Sequence, residues 1–387
     1  MASRASCACP QAVVLVGGEG TRLRPLTSRV PKPVAPVVER PFVGYILDNL
    51  ARHGVTHAVF SAGYLADAIE EVVGDGRGYG LSVSYVVEES PLGTAGAIKN
   101  VEAKLGDGRL LAFNGDVLTD VDLTELVAFH QRKGGLATVF LTPVDDPRRY
   151  GLVRLDDDGR ILEFVEKPGP EHTGPGLINA GVYVLEHEVL DLIPSGERFS
   201  IERNVFPRLA SAGRLNGYVG RCYWRDIGTP ESYLEAHFDL LEHALVTSVA
   251  ELAGDSYVYV APSAAVSRDA RVVPPAYVGE DAIVGPGARV GPLAVIGRGS
   301  RVGEGATVLE SVVHDGVEIG AGAHVERSIV VRGATIGDRT HVVQGIVGDG
   351  CRIGADNYVA KGCCLYPDTV LPDGSMKFRE VDGGEGR

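Results

Sequence analysis

The chain has 387 residues, 44% of them apolar and 23% charged; these proportions exclude a disordered or membrane-spanning polymer, and the length exceeds what one hydrophobic core organises, so two domains are expected. The formal charge of -14 excludes a nucleic-acid backbone as partner, because that needs a broad basic surface, yet it leaves room for a local basic pocket around a small phosphorylated ligand. No apolar run approaches the length of a membrane span, Met1 to Gln11 lacks the hydrophobic middle of a signal peptide, and the six cysteines form no pair of C-x-x-C units, so the expectation is a cytoplasmic protein with reduced thiols.

Taken in chain order, the first part alternates between two patterns. Ala12 to Val16, Ala58 to Ala62, Ser82 to Val87, Leu110 to Phe113 and Ala137 to Leu141 are short apolar or β-branched runs and predict buried strands. Phe42 to His53, Leu65 to Val73, Thr94 to Leu105 and Leu123 to Arg132 are amphipathic and of helical length. Alternation of this kind predicts helices packed on a largely parallel sheet, whose ligands bind at the carboxyl ends of the strands. The residues just after Val16 and Phe113 are therefore where chemistry is expected.

From Val260 the rhythm becomes a repeat of six. Val260, Val266, Val272, Val278, Val284, Val290, Ile296, Val302 and Val308 fall in one register. The steps then mix five and six through Ile319, Val325, Val331, Ile336, Val342, Val347, Ile353, Val359 and Leu365. One inward aliphatic residue per short strand, with small residues at the corners, predicts a parallel β-helix of roughly six coils.

The strongest local motif is G-G-E-G-T-R-L-R-P-L-T, Gly17 to Thr27, directly after the first strand. A glycine-rich turn lets backbone amides approach phosphate oxygens, and Arg22 and Arg24 offer charged donors. A Walker loop is excluded by the missing G-K-[ST] ending, and the dinucleotide fingerprint by Leu23 where its third glycine belongs. Glu19 places an acid inside the loop and is expected to point outward. Downstream, Lys32 stands between Pro31 and Pro33, which fix where it points.

These motifs resemble the signature of the nucleotide-sugar pyrophosphorylases. The resemblance continues in order through P-L-G-T-A-G at Pro91 to Gly96, N-G-D at Asn114 to Asp116, Y-G at Tyr150 and Gly151, and F-V-E-K-P at Phe164 to Pro168. Then follow N-A-G-V-Y at Asn179 to Tyr183, S-I-E at Ser200 to Glu202 with V-F-P at Val205 to Pro207, and W-R-D-I-G-T-P at Trp224 to Pro230. Within that family, P-L-G-T-A-G and the S-I-E with V-F-P pair are similar to mannose-1-phosphate guanylyltransferases. The implied fold is α/β: a Rossmann-like nucleotidyltransferase domain over residues 1–245 with a mixed, mainly parallel sheet, then a left-handed parallel β-helix of hexapeptide repeats over residues 246–387. Ala244 to Gly254 is the expected linker.

The implied reaction joins GTP and mannose 1-phosphate into GDP-mannose and pyrophosphate, with Mg2+ as cofactor and the β-helix as the route to a homo-oligomer. Arg22, Lys32, Asp116, Lys167 and Asp226 are the implied catalytic residues, Asp116 and Asp226 also holding the metal. Gly17, Gly18, Gly20, Thr21, Glu88, Gly93, Thr94 and Asn114 fall to the nucleotide. Tyr150, Gly151, Glu166, Lys167 and Asn179 fall to the sugar phosphate. No side-chain nucleophile or base is needed, because a phosphate monoester with a second pKa of about 6 is already largely ionised near neutrality. Glu88 occupies the place where thymidine-using relatives carry a glutamine, and a carboxylate accepts from both the N1-H and the amino group of guanine.

Three rivals are open at this stage. Glucose 1-phosphate or a cyclitol 1-phosphate would need the same nucleotide motifs. His314, His324 and His341 in the repeat suit an added acyltransferase activity, although corner or surface histidines are the plainer reading. A regulatory homologue would bind nucleotide sugar without turning it over.

Overall fold

The computed structural model describes residues 11–63, 65–166 and 174–377, and Cys7, Cys9 and Lys167 lie outside them. The chain divides into two compact units. The first is Met1–Glu19, Pro31–Val34 and Pro41–Asp226, and the second is Gly20–Val30, Ala35–Arg40 and Ile227–Arg387.

In the first unit, strands and helices follow the sequence pattern closely: β1 (Gln11–Leu15), α1 (Phe42–Arg52), β2 (His57–Ala62), α2 (Ala66–Val73), β3 (Ser82–Val87), α3 (Gly93–Asn100), β4 (Leu110–Asn114), β5 (Val117–Thr119), α4 (Leu123–Lys133) and β6 (Ala137–Val144). Helix starts follow ordinary capping chemistry, as where Asp122 accepts from Glu125 N at 2.9 Å to open α4. The second half adds strands beyond the runs read from the sequence: β7 (Gly151–Leu155), β8 (Ile161–Glu166), β9 (Gly176–Leu185), β10 (Leu215–Val219) and β11 (Trp224–Asp226), with α5 (Phe206–Ser211) between β9 and β10.

The main sheet has nine strands, running β8-β7-β9-β4-β1-β2-β3, with β6 branching from β9 and β10 pairing β6. It is mixed as expected. The β1, β2, β3 and β4 neighbours are parallel, as are β6 and β10, whereas β9 is antiparallel to each of its partners. Val13, Val59, Leu110, Ala112, Val139, Tyr183 and Phe206 share one buried cluster beneath it.

The second unit is built on a three-sided parallel β-helix whose faces hold seven, seven and six short strands. Coils of 18 residues pair Val278 with Ile296, and coils of 17 pair Val313 with Val330 and Val330 with Val347. The shortened step always falls on the same face. The core rung there is thus Val330 rather than the adjacent Val331 of the sequence register. Each rung buries one aliphatic side chain, worth about 1.5–3 kcal/mol relative to exposure, so the stack holds a continuous core.

Two helices precede the coils, α6 (Pro230–Leu241) and α7 (Ser248–Ala253). The sequence boundary at 245/246 falls between them, and α7 occupies much of the expected linker. Thr247 caps it, and only Val249 and Ala253 of its residues are buried. So short an element leaves too little periodicity to read.

Candidate active site

β1 lies between two parallel partners, with Leu15 opposite Ser61 on β2 and opposite Asn114 on β4. Its carboxyl end therefore brings Gly17 and Gly18 level with Asn114–Asp116, the edge at which open parallel sheets present loops to ligands. Packing there is tight. Gly115 N donates to Leu15 O at 2.9 Å, and a Cβ on Gly115 would stand 2.5 Å from that oxygen and 2.8 Å from Val16 Cγ1. Only glycine fits at the centre of N-G-D, and this fixes where Asp116 emerges.

Asp226 reaches the same place through a second pairing. β11 runs antiparallel to β5 and sets Asp226 opposite Val117, the residue after Asp116. Two carboxylates remote in sequence are thus carried to one end of a two-stranded ribbon. Lys32 joins them: its Nζ lies 3.1 Å from Asp116 Oδ2, with the lysine side chain 10% exposed and the aspartate 42%. The buried stem aims the ammonium, while the aspartate remains open to a ligand. Among the described residues no three or more His, Cys, Asp or Glu side chains form a metal cage. Two hard oxygen donors nonetheless suit magnesium, which keeps several waters and completes its shell with substrate phosphates.

On the other side of β1, Gly17 faces Glu88. A Cβ on Gly17 would stand 3.1 Å from Glu88 Oε1, and one on Gly63 would stand 3.0 Å from Gly17 O. Glu88 accepts from Ser61 Oγ through Oε1 and from Leu92 N through Oε2, each at 3.0 Å. These bonds fix the carboxylate beside the glycine turn and leave each oxygen a further lone pair. Gly93 opens α3 with φ of +69°, and a Cβ there would stand 2.8 Å from Phe199 O.

The sugar-phosphate candidates gather around β9. Glu166 ends β8 opposite Gly151, and Tyr150 meets Trp224 edge to face at 5.4 Å between centroids. Asn179 sits where the β6–β9 register shifts. Its Nδ2 donates to the Tyr183 hydroxyl at 2.9 Å, and its Oδ1 accepts from Gly181 N at 3.0 Å. Asn114 Oδ1 is buried with no hydrogen-bond partner among the described residues, so it is available to a ligand.

Sequence reasoning assigned no role to Glu202 or Tyr183, yet they tie this region together. Glu202 accepts from Thr94 Oγ1 at 2.8 Å, Ser200 Oγ at 2.7 Å and Tyr183 OH at 3.3 Å. The Thr94 hydroxyl also accepts from Ile201 N at 2.8 Å, so its side chain fastens α3 to the S-I-E turn. Burial, reinforced by Glu202, pushes the Tyr183 phenol up and keeps it a neutral donor. The signal available was the S-I-E motif itself, whose spacing from Asn179 says nothing of their contact.

The rest of the glycine-rich signature belongs to the second unit. Gly20 has φ of +61° and opens a single 3-10 turn, Thr21–Leu23. Its carbonyl accepts from Leu23 N at 2.9 Å and Thr27 Oγ1 at 2.7 Å. Leu23 and Leu26 are buried, whereas Glu19, Thr21, Arg22 and Arg24 are exposed. Of the repeat histidines, His314 is buried with Nε2 3.0 Å from the Tyr233 hydroxyl, and burial lowers its pKa to about 3. The rings of His324 and His341, on successive coils, meet at a tilt with centroids 5.5 Å apart.

Comparison with known proteins gives two family matches. Residues 11–243 match the nucleotidyl transferase family, and residues 273–376 match the EIF2B subunit epsilon LbH domain, in line with a left-handed β-helix. A Mycobacterium tuberculosis mannose-1-phosphate guanylyltransferase is 45% identical over 59% of this chain and 64% of its own. A Synechocystis UTP–glucose-1-phosphate uridylyltransferase is 35% identical over 58% of this chain and 62% of its own. The chain thus spans less than two thirds of the length of these curated relatives. Among solved structures, HddC of Yersinia pseudotuberculosis complexed with GMP-PN covers 59% of this chain and 99% of its own at 30% identity and a TM-score of 0.53. None of the helices among the described residues is long and apolar enough to cross a membrane.

Proposed function

The chain belongs to the nucleotidyl transferase family, and from that premise we propose that it joins GTP and mannose 1-phosphate to give GDP-mannose and pyrophosphate. In this reading residues 1–245 are the catalytic domain and residues 246–387 a β-helix domain through which copies associate, in the cytoplasm. One observation carries the reaction class: the pairing that sets Asp226 beside the Asp116 turn, with Lys32 Nζ 3.1 Å from Asp116. The 45% identity to a mannose-1-phosphate guanylyltransferase supports the substrate pair.

A phosphate oxygen of the sugar ester attacks the α-phosphorus of the triphosphate. The new P–O bond forms as the bond to the β-phosphate oxygen breaks, and pyrophosphate departs with that electron pair. No proton need move, because the ester is largely ionised above its second pKa of about 6. Asp116 and Asp226 would hold a magnesium ion, which when bound would supply Lewis-acid stabilisation of the charge on the α-phosphate and the leaving group. Lys32 holds Asp116 in place and adds positive charge, while Arg22 and the amides of Gly17, Gly18, Gly20 and Thr21 bind the triphosphate. Glu88 takes the guanine N1-H and amino group beside Gly17, with Gly93, Thr94 and Asn114 also on the nucleotide. Tyr150, Gly151, Glu166, Lys167 and Asn179 hold the sugar phosphate, Asn179 being fixed through Tyr183 and Glu202. A His314 that burial keeps neutral supports a structural role and counts against an acyltransferase base.

Pyrophosphate release by the full chain, screened with four nucleoside triphosphates against mannose, glucose and cyclitol 1-phosphates, tests the proposal. GTP with mannose 1-phosphate should give the highest kcat/KM. UTP with glucose 1-phosphate in first place would favour the second reading that the Synechocystis relative suggests. Nucleotide-sugar binding with no release from any pair would identify a regulator.

A further inference from the structure

Lys32 stands between two segments, Gly20–Val30 and Ala35–Arg40, that pack with the β-helix. Within that unit Arg29 gives the first segment an ionic anchor. Arg29 Nη1 donates to Asp349 Oδ1 at 2.9 Å and to Asp368 Oδ1 at 3.3 Å, and Nη2 donates to Asp368 Oδ2. The two aspartates occupy one corner of successive coils, where Asp368 N donates to Asp349 O at 2.9 Å. Arg332 Nε lies 3.6 Å from Asp349 Oδ2 and backs the site with a second charge. The second segment is anchored too. Tyr233 OH donates to Pro36 O, and Ser248 Oγ accepts from Arg40 Nη2 at 3.0 Å while donating to Glu39.

These anchors differ in kind. Tyr233 is fully buried, so Pro36 is fixed by packing. Arg29 and Asp368 are exposed, with side-chain exposures of 46% and 64%, so the first segment, packed through Leu23 and Leu26, is tied at its far end by a solvent-facing fork of guanidinium and two carboxylates. The fork has the bidentate geometry that makes arginine specific, and the pair holds the Asp368 carboxyl below its usual range. Such pairs are weakened by salt.

We propose that Arg29 is a positioning residue through which the β-helix clamps the arginine-bearing half of the glycine-rich signature, so that Arg22 is held ready for the triphosphate. This inference rests on the assignment of Arg22 to the triphosphate in the proposed function. It goes beyond that assignment in naming Arg29, Asp349 and Asp368.

The test uses the full chain with Arg29→Ala, Arg29→Lys and the double variant Asp349→Asn with Asp368→Asn. Amide exchange across residues 20–30 should accelerate about fivefold in Arg29→Ala, with β1 amides unchanged. The kcat for pyrophosphate release should fall by about the same factor while KM for the sugar phosphate holds. Arg29→Lys should recover most of the loss, and the double aspartate variant should reproduce it from the opposite side. Unchanged exchange in both Arg29→Ala and the double variant would overturn the clamp. Faster exchange with wild-type kcat would overturn the positioning role. A wild-type chain that releases no pyrophosphate from any pair would sink the proposed reaction and with it the role of Arg22; the clamp would then be decided by exchange alone.

Discussion

Acidification should destabilise the second unit through two buried histidines. His237 packs edge-on against Tyr233 at 4.5 Å, with Nδ1 2.8 Å from the Tyr233 carbonyl, and His314 Nε2 lies 3.0 Å from the Tyr233 hydroxyl. Burial lowers the His237 pKa to about 4, and burial with the nearby His237 and Arg332 charges lowers that of His314 to about 3, against an ordinary 6.5. Since both folded-state values lie below the unfolded one, the unfolded chain binds more protons in acid. The stability these groups contribute is therefore complete above pH 6.5 and is lost as pH falls toward 4 and then 3. At about 1.4 kcal/mol per unit, each histidine removes about 3 kcal/mol between roughly pH 7 and pH 4. Together they remove a large part of a typical domain stability of about 5–15 kcal/mol. Calorimetry of the wild type and His314→Gln across that range measures the effect. The variant starts lower at neutral pH because a packed hydrogen bond is altered, but its stability should fall about 3 kcal/mol less on acidification. Parallel falls in the two proteins would show that His314 does not titrate on unfolding and would refute the reasoning.

Three further outcomes are expected. Asp226→Asn should keep the thermal midpoint within a few degrees and lower kcat by about a hundredfold or more, since one of the two carboxylates proposed to hold magnesium is lost; pyrophosphate release titrated with magnesium checks both magnitude and cause. Glu88→Gln retains an acceptor for Leu92 N yet loses a carboxylate oxygen beside Gly17, so the kcat/KM ratio of GTP over UTP should drop about tenfold or more. Tyr183→Phe removes the hydroxyl between Asn179 and Glu202 and should raise KM for the sugar phosphate about fivefold to tenfold, the loss of one or two buried hydrogen bonds; steady-state kinetics with each substrate varied in turn separates this from a nucleotide effect.

Much of the site was legible because its motifs are local. Gly17 to Thr27, Pro31 to Pro33 and Asn114 to Asp116 announce a turn, an aimed lysine and a strand-end carboxylate from adjacent residues alone. Glu202 and Tyr183 were less so. Each sits in a quoted motif, but their bond depends on the bulge at Asn179–Tyr183 in β9, which no alternation pattern reveals. Lys167, expected at the sugar phosphate, lies outside the described residues, and its role remains part of the proposal.

Residue order alone determined the early strands and helices and the stacked coils, because the side-chain period records which face meets the core. It also determined the family, through motifs whose order survives without any contact between them. Tertiary structure decided that β11 pairs with β5 and so sets Asp226 by Asp116, that β9 turns half the sheet antiparallel, that the core rung is Val330, and that Gly20–Val30 packs with the β-helix. The physical reason is common to all four. Periodicity reports burial, but which buried surface meets which is set by pairing and packing across the whole chain, where a shift of one residue changes every contact.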